Sequence, residues 1–453
     1  MEIDKLSQKK RKDMTSRERV RLLQLKLYQK AKQESNYKFY ILYDKISLDH
    51  VLEEAYRRCK SADGSETPGV DGVTFAEVEE EGREALLSEI KEELRRRIYK
   101  PKPVRRVMMK KENGGYRPLG IPTIKDRIVQ QACKLVIEPI YEADFDESSY
   151  GFRPKRSAKD AITEIKGKLK EGMHMVYDAD LSKYFDTIPH DKLLITLKER
   201  IADPRVITLI KLWLRTPVVE EDGSYRGGRG HSKGTPQGGV ISPLLANIYM
   251  NLIDRLVNRE DGWFAKRGVS MIRYADDFIL MSKHINQEVL IKLHGYLDRM
   301  ELTINTEKSK LIKAQEESFD FLGFTTRYDR SILYTGKYWN ILPKAKSQKK
   351  IRQKIDAKLK KIGHYPPEKV VSELNPIIRG WMNYYKIEGI SHTQLPFRKL
   401  ENYLRYRLDR YYNRKSQRKS RLFGQEAYKM LTQKYGLVNP YVSSGLRPVN
   451  AKR

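Results

Sequence analysis

Residues 271–281 read Met-Ile-Arg-Tyr-Ala-Asp-Asp-Phe-Ile-Leu-Met, two adjacent carboxylates between two apolar runs. Apolar, β-prone runs on both sides of a two-residue acidic step predict a short hairpin of buried strands. Burying Asp276 and Asp277 near its tip costs several kcal/mol per ion unless a cation compensates. A hard divalent cation with oxygen ligands is the simplest compensation, and magnesium is the usual one at phosphoryl-transfer sites. A lone Asp-Asp is more often a solvated turn pair. A second acidic strand end upstream shifts that balance.

The second element is Met175-Val-Tyr-Asp-Ala-Asp-Leu-Ser-Lys-Tyr-Phe-Asp186. Met-Val-Tyr is strand-like, and Asp178 and Asp180 follow before Tyr184 and Phe185. Two strands ending in carboxylates can meet in space and share two metal ions about 4 Å apart, one activating a hydroxyl and one steadying the leaving oxygen. Read alone, the stretch could equally be a helix N-cap with acidic first-turn residues. A third segment, Ser232-Lys-Gly-Thr-Pro-Gln-Gly-Gly-Val-Ile-Ser-Pro-Leu-Leu-Ala-Asn247, is a glycine-rich loop entering a helix. Ser242 is the expected N-cap and Pro243 the first helical residue. The glycines allow close backbone approach to a ligand, and Gln237 can hydrogen-bond a base or sugar.

In this order, acidic strand, glycine–glutamine loop, Tyr-Ala-Asp-Asp, the chain resembles the reverse transcriptases encoded by bacterial group II introns. The resemblance runs from about Tyr43 to about Arg410. Its catalytic motifs match Asp180-Leu-Ser-Lys-Tyr-Phe-Asp186, Gly234–Asn247 and Tyr274-Ala-Asp-Asp277. Further matches are Arg117-Pro-Leu-Gly-Ile-Pro-Thr123, Ser149-Tyr-Gly-Phe-Arg-Pro154, Asn305-Thr-Glu-Lys-Ser309, Phe321-Leu-Gly-Phe324 and Gly380-Trp-Met-Asn-Tyr-Tyr385.

The resemblance implies that Asp180, Asp276 and Asp277 are catalytic and ligate two Mg²⁺ ions. It implies that Phe185 packs under the deoxyribose and rejects a 2′-hydroxyl, and that Gln237 lies in the nucleotide site. Lys111 and Arg117 fall where the family grips the triphosphate, with donors suited to phosphate; read alone, they belong to a solvated basic hairpin around Asn113-Gly-Gly115. Where the family usually has Ile-Pro-Lys, this chain has Met109-Lys110-Lys111, losing a stiffening proline. Lys308 matches a lysine that could protonate departing pyrophosphate. Arg153, Tyr384, Tyr385, Arg405, Arg414 and Lys415 are the expected nucleic-acid contacts. In the helical stretch, Tyr403, Tyr406, Tyr411 and Tyr412 also interleave with basic residues, whereas Trp381 reads as core packing.

Charge distribution points to the same partner. The 453 residues carry 89 Lys and Arg against 59 Asp and Glu, a formal charge of +30. Residues 341–453 hold 27 basic and 7 acidic side chains, and residues 1–40 hold 12 and 5, leaving only +3 on the 300 between. Basic flanks around a nearly neutral middle suit phosphate binding with counterion release. The two cysteines, Cys59 and Cys133, cannot build a disulfide framework or a paired zinc site, so a reducing cytoplasm is the expected location. No apolar run reaches membrane-spanning length, so no membrane partner is expected.

The expected fold class is α+β: a right-hand polymerase of fingers and palm, with an antiparallel sheet and helices, followed by an α-helical thumb. The expected domains are a basic extension (1–40), fingers and palm (41–340), a helical thumb or maturase domain (341–412) and a basic DNA-binding-like segment (413–453). The thumb helices are predicted at 347–362, 368–385 and 397–412, separated by Pro366-Pro367 and by 389–396. Many group II intron proteins end in a metal-bound endonuclease domain with paired cysteines. This chain has no Cys pairs, so it is expected to lack second-strand nicking and to prime on a pre-existing 3′ end. The function implied is RNA-directed DNA synthesis from a DNA primer with dNTPs, with intron RNA as a further partner in splicing and mobility. Two other settings remain open: a pure maturase with a vestigial polymerase, and a domesticated relative in phage defence or CRISPR spacer acquisition.

Overall fold

The computed structural model describes residues 13–110, 114–228, 230–331, 335–362, 365–413 and 420–442. They form two compact units. One takes the chain up to Arg156 with Ala179–Leu280 and Ile285–Ser309; the other takes Ser157–Asp178, Met281–His284 and the chain from Lys310 onward.

In the first unit, helices Ser16–Gln33, Asp49–Lys60 and Ile124–Glu142 pack against one another. Thr15 and Glu18 close a capping box on the first of these, satisfying amide donors that a helix start leaves open. Ile124–Glu142 is buried on nearly every face, with Asp126, Arg127, Gln130, Gln131 and Glu138 buried among its apolar residues. Strands Val104–Lys110 and Tyr116–Ile121 form an antiparallel hairpin with Arg105 opposite Ile121 and Lys110 opposite Tyr116. Val104 continues in parallel pairing with Val218, the start of a small hairpin through Tyr225–Arg226. Helix Ser242–Asn258 begins one residue earlier than expected. Ser242 is not its N-cap: it is the first helical residue, following Ile241 whose backbone is already helical, and its hydroxyl donates to the Pro236 carbonyl at 2.9 Å. Strands Ser270–Tyr274 and Asp277–Ser282 form the predicted acidic hairpin.

In the second unit, Met175–Asp178 pairs antiparallel with Lys310–Lys313. Strand Phe324–Arg330 lies between Phe319–Phe321 and Lys337–Pro343, antiparallel to both. Helices Ala345–Lys361, Pro367–Tyr385 and Gln394–Tyr412 follow, close to the predicted bounds, and Ala427–Lys434 packs on the last. Pro367 opens its helix, where a missing amide donor costs nothing. Ile355, Leu374, Ile378, Leu404, Leu408 and Leu431 are wholly buried in one core there. Among the described residues, no helix is long and apolar enough to cross a membrane.

Candidate active site

The acidic hairpin leaves Ala275 and Asp276 at its tip, between Tyr274 and Asp277. Ala275 takes a left-handed backbone, φ 60°. Asp276 is half-buried and Asp277 exposed, while Phe278, Ile279 and Leu280 are fully buried. Desolvation pushes the Asp276 carboxyl above the usual carboxylate range; the Asp180 charge acts in the same direction, and Arg117 and Arg273 oppose it. Asp180, Asp276 and Arg117, which are remote in sequence, therefore share one electrostatic neighbourhood.

Asp180 is held by the turn at 305–309. Its amide donates to Ser309 Oγ at 3.1 Å, and its carbonyl accepts from the Asn305 amide at 2.8 Å. Lys308 Nζ stands 3.2 Å from Asp180 Oδ2. Phe185 is half-buried and edge-on to Tyr184 at 5.6 Å. Its carbonyl accepts from the Thr235 amide at 2.7 Å, and Ile188 accepts from Gly234, also at 2.7 Å. The glycine loop thus runs alongside 185–190. Gly234 has φ +88°, and a Cβ there would meet the Asp186 carbonyl oxygen at 2.9 Å. Gln237 Nε2 reaches Asp186 Oδ1 at 3.5 Å, and the Gln237 carbonyl accepts from the Gly120 amide at 2.6 Å. That last bond ties the strand carrying Arg117 to the glycine loop. Desolvation also raises the Asp186 carboxyl, against the charges of Arg106, Lys183, Arg117 and His231.

Among the described residues, no group of three His, Cys, Asp or Glu side chains is gathered so as to hold a metal ion. The donor chemistry nonetheless fits one: two electrostatically coupled carboxylates, Asp180 and Asp276, one of them desolvated, with Asp277 next in the chain. Like charges so placed favour a shared cation.

Lys111, Arg414 and Lys415 lie outside the described residues. Two expected nucleic-acid contacts are corrected. Arg153 has a side chain only 2% exposed. It donates to Glu142 at 2.8 and 3.0 Å and to the carbonyls of Asp146 and Ser149 at 2.5 and 2.8 Å. Its fork is consumed inside the protein. Tyr385 is buried against Phe324 and Trp381, because helical spacing turns it inward. Tyr411 and Tyr412 are buried for the same reason, whereas Tyr406 is exposed. Tyr384 keeps an exposed face while its hydroxyl donates to the Leu322 carbonyl at 2.9 Å. Arg405, also exposed, sits 3.5 Å from Glu401 with its guanidinium over Tyr428.

Arg273 and Asp254, a fully buried ion pair under the acidic turn, had no place among the expected site residues. The available signal was a lone arginine within the apolar run Met271-Ile272-Arg273-Tyr274.

A family model for "Reverse transcriptase (RNA-dependent DNA polymerase)" matches residues 109–326, and one for "Group II intron, maturase-specific domain" matches residues 348–430. Protein YkfC of Escherichia coli K12 is 36% identical over 338 residues, which is 67% of this chain and 87% of that protein. The chain belongs to the group II intron type of reverse transcriptases. The intron-encoded protein LtrA of Lactococcus lactis is 35% identical over 217 residues, 48% of this chain and 35% of LtrA. An uncharacterized 91 kDa protein in the cob intron of Schizosaccharomyces pombe is 26% identical over 80% of this chain and 53% of its own length. The chain therefore spans about half or less of these two longer relatives. A partial Cas6-RT-Cas1–Cas2 complex is similar over 57% of this chain and 42% of that one, at 25% identity and a TM-score of 0.36.

Membership makes this an α+β chain in which a right-hand polymerase domain of RNA-directed DNA polymerase type precedes a helical maturase domain. Such a reverse transcriptase domain works on nucleic acid, RNA included, and depends on divalent metal.

Proposed function

We propose that this reverse transcriptase extends a DNA primer 3′-hydroxyl with dNTPs on an RNA template, and also assists splicing and mobility of a group II intron RNA as a maturase. Asp180, Asp276 and Asp277 would hold two Mg²⁺ ions. Bound there, the ions supply Lewis-acid stabilisation of the attacking and leaving oxygens in an in-line displacement at the α-phosphate. Arg117, with Lys111, grips the triphosphate; Phe185 lies under the sugar; Gln237 orients the nucleotide; Lys308, beside Asp180, supplies a proton to the departing pyrophosphate. Exposed Tyr384 and Arg405, with Arg414 and Lys415, contact nucleic acid. The working parts are the basic extension (1–40), fingers and palm (41–340), thumb (341–412) and basic terminal segment (413–453). A reducing cytoplasm is the proposed location, supported by two free, buried cysteines.

The observation that carries this reading is that backbone hydrogen bonds tie together the segment 180–186, the glycine loop and the strand bearing Arg117, Thr235 to Phe185 at 2.7 Å and Gly120 to Gln237 at 2.6 Å, at the end of the acidic hairpin that carries Asp276. The test is primer extension on an RNA template with a DNA primer, dNTPs and Mg²⁺. Asp276→Ala and Asp277→Ala should each abolish synthesis while leaving RNA affinity nearly unchanged. Wild-type extension by either variant would refute the ligand roles. RNA binding without any extension by the wild-type chain would favour the pure maturase.

A further inference from the structure

Arg273 is 0% exposed, as is its partner Asp254. A buried ion pair is commonly no better for stability than a well-packed apolar pair, so this one calls for a use beyond packing. Arg273 Nε donates to Asp254 Oδ1 at 2.7 Å, and Nη2 donates to Asp254 Oδ2 at 2.5 Å and to Ser149 Oγ at 2.6 Å. Nη1 donates to Asn247 Oδ1 at 2.9 Å and to the Ala275 carbonyl at 2.6 Å. The last bond grips the left-handed residue immediately before Asp276. Gly151 also packs against this residue: any Cβ there would lie 2.3 Å from the Ala275 nitrogen. Asn247, which accepts from Arg273, also donates to the Gly151 carbonyl at 2.8 Å. One connected network thus holds the acidic turn through the Ala275 carbonyl and against the Gly151 backbone.

We infer that Arg273 is a positioning residue: a buried guanidinium clamp that keeps Ala275 left-handed and thereby fixes where the Asp276 carboxylate points. The clamp rests on the reading of Asp276 given above and adds to it the means by which the carboxylate is held. Lysine at 273 preserves the charge opposite Asp254 but cannot fork to Asp254, Ser149, Asn247 and Ala275 at once. Glycine at 275 adopts positive φ without penalty, so it should replace part of what the clamp supplies.

The experiment uses the full chain as wild type, Arg273→Lys, Ala275→Gly and the double variant. Primer extension, RNA affinity, thermal midpoint and hydrogen–deuterium exchange of the 270–282 peptide are read together. Arg273→Lys should lower kcat about 30-fold or more, since a displacement near 1 Å can cost about 100-fold. RNA affinity should stay within about twofold, and amide exchange should quicken at the turn with the rest unchanged. Adding Ala275→Gly should recover about tenfold of the lost kcat, as expected if the barrier is a backbone conformation that glycine accepts. Wild-type kcat in Arg273→Lys, or a loss that Ala275→Gly leaves untouched, overturns the clamp. If Arg273→Lys fails to fold, Arg273→Met with Asp254→Leu restores an apolar pair; a folded but inactive protein supports the clamp and a folded, active one refutes it. Should the wild type itself not extend, the reading of Asp276 fails, and exchange at 270–282 alone decides the clamp.

Discussion

Ala275 spends about 1–2 kcal/mol on a left-handed backbone, and it does so next to the carboxylate on which the proposed chemistry depends. Strain of this kind persists only where the surroundings over-determine it, and the Arg273 and Gly151 contacts do so here. Phe185 is a second residue whose neighbours define it. The Thr235 amide bonds to its carbonyl and its ring sits edge-on to Tyr184. Phe185→Ala should admit ribonucleotides, reducing the dNTP-over-rNTP ratio of kcat/KM by about 10- to 100-fold, the usual scale for discrimination by shape. Single-nucleotide incorporation with each substrate measures it, and an unchanged ratio would remove Phe185 from sugar selection. The acidic residues were legible in the sequence because adjacent carboxylates among apolar residues are costly. Arg153 was misread because its partner Glu142 lies 11 positions away, and no local pattern reveals that pairing.

At the scale of elements, the hairpin 104–121 and the glycine loop meet where Gly120 donates to Gln237. Gly238 sits at this junction with φ +112°, and a Cβ there would stand 2.5 Å from the Gly120 carbonyl oxygen. Backbone faces it, so no side chain can swing away. Gly238→Ala should therefore cost at least about 1–3 kcal/mol locally and lower primer extension about tenfold or more, chiefly through a higher KM for dNTP. Steady-state kinetics with dNTP varied would check this; an unchanged KM would mean that the junction does not shape the nucleotide site. The loop's glycines were readable from sequence as places of close approach. What they approach was not, because Gly120 and Gly238 are more than 100 residues apart. The Ser242 cap was misplaced by one residue because Ile241 already has helical backbone, so Ser242 enters the helix itself.

At the scale of the molecule, basic flanks frame a nearly neutral middle. If they engage 6–10 phosphates, RNA affinity should fall about 10³–10⁵-fold between 50 and 200 mM salt. Asp276→Ala should leave that slope unchanged, since Asp276 lies outside the flanks; fluorescence anisotropy with labelled RNA would show it, and a flat salt response would refute the electrostatic grip. Compact units that take discontinuous stretches of chain, with 157–178 grouped with the chain from 310 onward, were not readable from linear order. The sequence by itself determined the element types and the acidic, glycine-rich and helical motifs, because periodicity, turn chemistry and the cost of buried charge act locally. Family membership followed from the order of those motifs. Only the tertiary structure decided which charges are spent inside the protein, as in Arg153 and Arg273, and which tyrosines, such as Tyr385, are core. Partner and burial are set by groups remote in the chain, and desolvation is a property of the packed environment that no local pattern encodes.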